Sequence, residues 1–351
     1  METKVIKINP DKLTNDNLKE AADILRTGGL VAFPTETVYG LGANALDESA
    51  SAKIYKAKGR PSDNPLIVHI ANVRDIEELA CDIPDMAYKL ADVFWPGPLT
   101  MILRKRDCVP YATTGGLDTV GIRLPANKVA RTLISEAGIY IAAPSANLSG
   151  KPSPTTAEHV YKDLNGRIDM IIDGGKAVYG LESTIVDLTG DIPVILRPGC
   201  ITKEMLENVA GKVELDPTIL LKTPTAVLKP KAPGMKYRHY APEGKLTIYE
   251  GNIEDVIAAI NKEAQKKLSE GFSSGVIATD ETQSLYSYGI VKSVGSRSDD
   301  TSIAAGLYNV LREFDETHIE YIYSESFEDN SMGQAIMNRL LKAAGYSIVR
   351  V

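Results

Sequence analysis

Between residues 18 and 200, short apolar runs alternate with stretches in which apolar positions recur every three or four residues. The short runs are bounded by turn formers. They predict strands over 30–33, 66–70, 100–103, 120–124, 140–143, 170–173, 183–188 and 194–197. The periodic stretches predict helices over 18–27, 50–58, 84–94, 128–137 and 155–164. Beyond residue 244 the alternation is cleaner, with strands over 245–249, 275–278, 289–294 and 320–323 and helices over 253–268, 301–314 and 333–344. Helices alternating with strands bury their apolar faces on a sheet, so this last part reads as a small Rossmann-like α/β domain.

Proline marks the boundary between the two parts. None of the 19 prolines lies beyond residue 242. Over Val213–Gly244, Pro217, Pro224, Pro230, Pro233 and Pro242 fall in poor hydrophobic periodicity, which predicts an extended linker because proline fixes φ and removes a donor. The chain divides into 1–210, 211–244 and 245–351, with net charges of −4, +3 and −6. A positive linker between two acidic domains is more than a tether needs.

Composition excludes several classes. Hydrophobic residues are 44% and charged residues 24%, as in a soluble globular protein. A net charge of −7 argues against a protein living mainly on nucleic acid or anionic membrane. Cys81, Cys108 and Cys200, like His69, His159, His239 and His318, are scattered, so neither a disulfide framework nor a zinc site is encoded. METKVIKINPDK has no apolar signal region and no apolar run reaches the ~18 residues of a membrane span, so the protein is expected in the cytoplasm.

Three segments carry chemistry. Phe33-Pro-Thr-Glu-Thr-Val-Tyr-Gly-Leu-Gly42 runs from a strand into a hydroxyl-rich turn closed by two glycines. Gly40-Leu-Gly-Ala-Asn-Ala45 imitates a dinucleotide fingerprint, but six polar or turn residues separate it from the strand and no βαβ unit follows, so a plain glycine turn is the better reading. Thr35, Glu36 and Thr37 are harder to assign to a turn alone. In the second segment, Lys58-Gly-Arg60 spaces two cations so that an extended backbone would turn both to one side, and Pro61 favours that form at Arg60. A converging Lys and Arg seat a polyphosphate. A solvated basic helix end would explain Lys53 and Lys56 but not Arg60 and Asn64 in a proline-pinned turn, so the spacing favours an anion site for the pair. In the third segment, Ala142-Ala-Pro-Ser-Ala-Asn-Leu-Ser-Gly150, Ser145 and Asn147 would present neutral donors together, or simply cap a turn. Arg123, inside an otherwise apolar strand, calls for a carboxylate or phosphate partner. Arg197 ends a strand at a turn, and Ser183 and Thr184 give weaker signals.

No Walker A loop, GxSxG, HExxH or EF-hand pattern occurs, which leaves positioning among cations and dipoles as the available catalysis. In order along the chain, PTETVYGLG, KGRPSDNPLIVH, FWPGPLT, the Arg123 strand, APSANLSG, ESTIVD and ILRPG resemble the YrdC-type threonylcarbamoyl-AMP synthases. Pro233-Gly-Met-Lys-Tyr-Arg-His-Tyr-Ala-Pro242 and Ala335-Ile-Met-Asn-Arg-Leu340 are similar to the long, two-domain form.

The resemblance implies an amino-terminal twisted mixed sheet with helices and a basic concave site, and a reaction. L-threonine, bicarbonate and ATP, the last with Mg²⁺, give L-threonylcarbamoyladenylate and pyrophosphate. This is the first step of threonylcarbamoylation of adenosine 37 in tRNAs reading codons that begin with A. It implies that Thr37, His69, Arg123 and Ser183 bind threonine, and that Lys58, Arg60, Asn64, Thr119, Ser145, Asn147 and Arg197 bind ATP, with Lys58 and Arg60 catalytic. Tyr237, Arg238, His239 and Tyr240 would fold over the site as a lid. A downstream tRNA-modifying transferase complex, and tRNA itself, are the implied macromolecular partners. Two other readings compete. An RNA-binding module without ATP chemistry is weakened by the acidic balance and by the absence of interleaved aromatic and basic residues. A carbamoyl-transfer domain of the hydrogenase-maturation type would bring Cys-rich zinc fingers, which three isolated cysteines exclude.

Overall fold

The computed structural model describes residues 2–220, 231–233, 239–328 and 332–351. Two sheets organise them. In the first, the strands run in the order Lys4–Lys7, Met170–Asp173, Val31–Phe33, Gly40–Asn44, Ile141–Ala142, Ile67–His69, Thr119–Arg123, Leu99–Lys105, Thr184–Asp187, Val194–Arg197 and Glu214–Leu215, with Ala80–Cys81 beside Leu99–Lys105. Parallel and antiparallel pairs mix along this path, as the expected fold requires. The second sheet is wholly parallel, in the order Ile290–Ser293, Ser274–Ala278, Tyr321–Glu325, Lys245–Glu250, Ile348–Arg350. Helix Ile253–Ser269 covers one face of it, while Asp300–Glu316 and Gly333–Ala343 cover the other.

Helix ends follow local chemistry. Asp47 caps Glu48–Lys58 by accepting from the Ser49 and Ala50 amides, and Gly59 ends the helix at φ +63°. Predicted and observed cores agree for nearly every helix, with Lys128–Ala137 identical.

Four expectations need correction. Gly40-Leu-Gly42 is strand and not a turn. A Cβ at Gly42 would lie 2.8 Å from both Ile141 and Phe33, so the glycine is there to let the pleat close over Phe33. The predicted linker begins late. Val213 is buried, Glu214–Leu215 pairs with Val194–Ile195, and Pro217–Leu220 is a helical turn. Residues 221–230 and 234–238, including Pro224, Pro230, Tyr237 and Arg238, lie outside the described residues. Helix Lys203–Ala210 and the edge strands Lys4–Lys7 and Ile348–Arg350 were not predicted. Finally, Lys58-Gly-Arg60 is not extended, since Lys58 closes a helix and Gly59 is left-handed.

The two sheets share packing. The apolar cluster between the second sheet and its two inner helices also takes in Val38, Leu181 and Tyr240. At Gly180, φ is +71° and an added Cβ would lie 2.5 Å from Ala305 Cα, so backbone approaches backbone across the junction. Arg312 donates to Asp163 at 2.8 Å and to the Pro152 carbonyl at 2.6 Å, both side chains being buried. Among the described residues no helix is long and apolar enough to cross a membrane.

Candidate active site

A cavity of about 60 Å³ opens against the first sheet between the loop 34–39, the end of helix Glu48–Lys58, the loop 143–151 and the segment 239–240. The pleat divides labour along one short strand. Val68 points into the core, whereas Ile67 and His69, two apart, line the cavity. His69 pairs in register with Arg123 on the neighbouring parallel strand. Thr37, Lys58, Arg60, His69, Arg123, Ser145, Asn147, Ser183, Arg197, His239 and Tyr240 therefore meet at one place, although they span the chain from residue 37 to residue 240.

The cations differ in how they are held. Lys58 is 2% exposed, so the view of it as a surface charge is wrong. Its ammonium donates to the carbonyls of Ser145, at 2.5 Å, and Asn147. Burial, and then Arg60, pushes its pKa well down. Ser145 Oγ donates to Asn147 Oδ1 at 2.6 Å, and the Asn147 amide donates to the Leu148 and Lys151 carbonyls, which stiffens the loop. Arg60 donates to the Asn64 and Pro65 carbonyls at 3.3 and 3.1 Å, and burial lowers its pKa to about 10. Arg197 donates to the Ser183 carbonyl at 3.0 Å and to Ser183 Oγ at 3.1 Å.

Arg123 has its partner inside the protein. It donates to Glu36 at 2.6 Å, to Thr37 Oγ1 at 2.9 Å and to the Gly97 carbonyl at 3.3 Å. Burial raises the Glu36 pKa, but Arg123 prevails and holds it below the usual carboxylate value. His69 donates from Nδ1 to the Ile67 carbonyl, and burial lowers its pKa to about 3, leaving the imidazole neutral at pH 7. His239 is neutral for the same first reason, with a pKa lowered to about 3.

Two expected residues are elsewhere. Asn64 is buried and reaches the site only through its carbonyl, which braces Arg60; Thr119 starts a strand beside Arg104 and does not line the cavity. The reading of motif order carries their names but not their orientation. Conversely, Glu182 lines the cavity and was given no role. Its carboxylate accepts from Ser153, from Tyr308 and, at 2.8 Å, from Arg339, the last two in the second α/β part. The available signal was Asn338-Arg339 inside the apolar run 335–341, a buried charge requiring a partner.

The charges then sort cleanly. The Glu36 carboxylate is committed to Arg123 and that of Glu182 to Arg339. Among the described residues no carboxylate makes an ion pair with Lys58, Arg60 or Arg197, which leaves three positive groups among neutral donors. Such an arrangement suits a polyanion.

Glu182 also gives a pH signature. Burial raises its pKa, yet Arg339 and Arg197 win and bring it to about 2, below the 4.5 of a free glutamate. A folded value below the unfolded one contributes stability above pH 4.5 that disappears as pH falls through 2. A lowering of that size corresponds to about 3 kcal/mol. E182Q is expected to melt lower than the parent at pH 7, because Arg339 loses its counter-charge, and to lose less further stability between pH 5 and 2. Parallel pH–Tm curves for the two proteins would rule this out.

Residues 23–199 match the family model described as Telomere recombination, and residues 201–345 match that of the threonylcarbamoyl-AMP synthase C-terminal domain. The chain is 50% identical to the threonylcarbamoyl-AMP synthase of Bacillus subtilis, over the whole of both chains. It is 48% identical to that of Pyrococcus abyssi, over 97% of this chain and 98% of the other. Its structure is similar to the crystal structure of P. abyssi Sua5 complexed with L-threonine, with a TM-score of 0.94 and 46% identity over 99% of this chain and 100% of that one.

Proposed function

The chain belongs to the threonylcarbamoyl-AMP synthases of the long, two-domain form, and from that premise we propose that its cavity joins L-threonine, bicarbonate and ATP into L-threonylcarbamoyladenylate, with release of pyrophosphate. The observation that carries this reading is the convergence on the cavity of Lys58, Arg60 and Arg197, none of which makes a direct ion pair with a carboxylate among the described residues. The threonine amine adds to the one-carbon substrate to give a carbamate and water. A carbamate oxygen then attacks the α-phosphorus of ATP, a new P–O bond forms, and the bond to pyrophosphate breaks.

Two anions must meet in that step, and the cations offset their repulsion. Lys58, Arg60 and Arg197 would face the triphosphate, with Ser145 and Asn147 as neutral donors beside them. Holding the reactants in attack geometry supplies up to about 7–11 kcal/mol of the barrier. Thr37, His69, Arg123 and Ser183 would surround threonine. Because Arg123 is already engaged by Glu36, Thr37 and Gly97, taking the threonine carboxylate means exchanging one of those bonds. A neutral His69 can accept or donate without adding charge. Mg²⁺ bound with the nucleotide would supply Lewis-acid stabilisation of its phosphates; among the described residues no three His, Cys, Asp or Glu side chains cluster as a cation site.

His239 and Tyr240 line the cavity, and in this reading they move aside for substrates to enter. Closure afterwards would shield the mixed anhydride from water. We place the product upstream of a transferase complex acting on tRNA adenosine 37, and the whole sequence in the cytoplasm. The RNA-binding alternative finds no observation in its favour beyond the basic cavity itself.

Pyrophosphate release from MgATP, measured with threonine and bicarbonate each present or omitted, tests the reaction. Release is expected only with both, together with an adenylate product. Release without threonine, or tRNA binding with no release, would refute the synthase reading.

A further inference from the structure

We propose that Tyr308 and Arg339, both in the second α/β part, are positioning residues for the reaction, forming with Glu182 a seat that fixes Tyr240, and through it His239, over the cavity. This rests on the synthase reading above. Tyr308 and Tyr240 stack with ring centroids 5.3 Å apart and planes inclined by 27°. The Arg339 guanidinium lies 5.6 Å from the Tyr240 ring centre, and His239 lies 5.5 Å beyond on the same ring. Tyr240 thus contacts both an aromatic ring and a cation, and both attractions are stronger away from water.

The seat is tied to the walls of the cavity. Tyr308 donates to both Glu182 oxygens, at 3.1 and 3.0 Å, and Arg339 donates to Glu182 at 2.8 Å and to the Pro198 carbonyl at 3.0 Å. Glu182 immediately precedes Ser183, and Pro198 immediately follows Arg197. One guanidinium therefore clamps the two strand ends that bring Ser183 and Arg197 to the site. Tyr240 itself is held at φ +65°, a conformation that a bulky residue keeps only when its surroundings impose it. Those surroundings are Tyr308, Arg339 and the junction cluster of Val38 and Leu181. Arg339 and Tyr308 are completely buried, which a merely tethered domain would not require.

The second part of the chain thereby sets how firmly the closing segment stays down. Y308L, in the full-length enzyme, removes the stacking face, while Y308F keeps the ring and loses only the hydroxyl. K162A, which removes an exposed ion pair to Glu316 across the same junction, serves as the docking control. Intact adenylate formed per pyrophosphate released is expected to fall about fivefold or more in Y308L, with hydrolysis to AMP making up the difference. Y308F should recover most of that ratio, and K162A should keep it. A folded Y308L with the parental ratio overturns the proposal, as does Y308F failing as badly as Y308L. If Y308L does not fold, hydrogen exchange on the unaltered enzyme decides. The amides of 239–241 should be protected together with helix 300–316, and free exchange at 239–241 beside a protected helix overturns it. Loss of threonine-dependent release in the parent enzyme would instead be a failure of the synthase reading.

Discussion

Lys58→Ala is expected to lower threonine-dependent pyrophosphate release by about 10²–10³-fold, the cost of removing one electrostatic contact from a charge-stabilising site. The effect on folding is expected to be visible too. The Lys58 ammonium joins the end of helix Glu48–Lys58 to the loop that carries Ser145 and Asn147. Its removal strands two buried carbonyl oxygens, at about 1–3 kcal/mol each, and is offset by relief from burying an ammonium. The balance predicts a fall of several degrees in Tm. Arg60→Ala should show a similar loss of rate with a smaller fall, since Arg60 is less buried than Lys58 and leans on two carbonyls at 3.1 and 3.3 Å. Initial rates at saturating MgATP, beside thermal melts, separate the two contributions. A K58A protein with the parental rate would sink the polyanion assignment outright.

The larger effect is expected from ending the chain after residue 210. Viewed as a two-domain sequence with a linker that covers the site, such a piece should leak adenylate or lose its synthesis. The structure argues for a heavier penalty. The cut removes Val213 from the core and Glu214–Leu215 from the first sheet, and it uncovers Val38 and Leu181. It also deprives two buried carboxylates, Glu182 and Asp163, of Arg339 and Arg312. Breaking one buried pair costs roughly 3–5 kcal/mol, and two such losses rival the whole stability of an ordinary domain. The shortened chain should therefore be poorly soluble, give no cooperative melt near that of the parent, and form no adenylate. A soluble piece with the parental melt, making adenylate and losing it to hydrolysis, would show that the second part only retains product.

What the sequence made legible follows from what is local. Residue periodicity placed helices such as Lys128–Ala137, because burying one face of a helix is a property of eight to ten consecutive residues. The family motifs marked most cavity residues, and folding brought Lys58, Ser145, Ser183 and Arg197 together as the motifs implied. Glycine hid the strand Gly40–Asn44, since its favourable term is the space it leaves for Phe33 and not its own propensity. The two-apart argument for Lys58 and Arg60 reached a correct juxtaposition by a wrong route, as a left-handed Gly59, not extended backbone, turns the chain between them. The junction stayed hidden for another reason. Glu182 and Arg339 are separated by 157 positions, and no window of sequence contains both.

Gly180 bears on how such proteins could be recombined. With no side chain there, the backbone of one part rests directly on that of the other, and Val38, Leu181 and Glu182 complete the same contact. The substrate-side loop and the carboxy-terminal helices are thus cut to one another's shape. Exchanging carboxy-terminal halves between relatives would fail at this seam unless the donor's counterparts of these four residues travelled with them. The two parts therefore share one fitted contact surface, even though each has its own sheet.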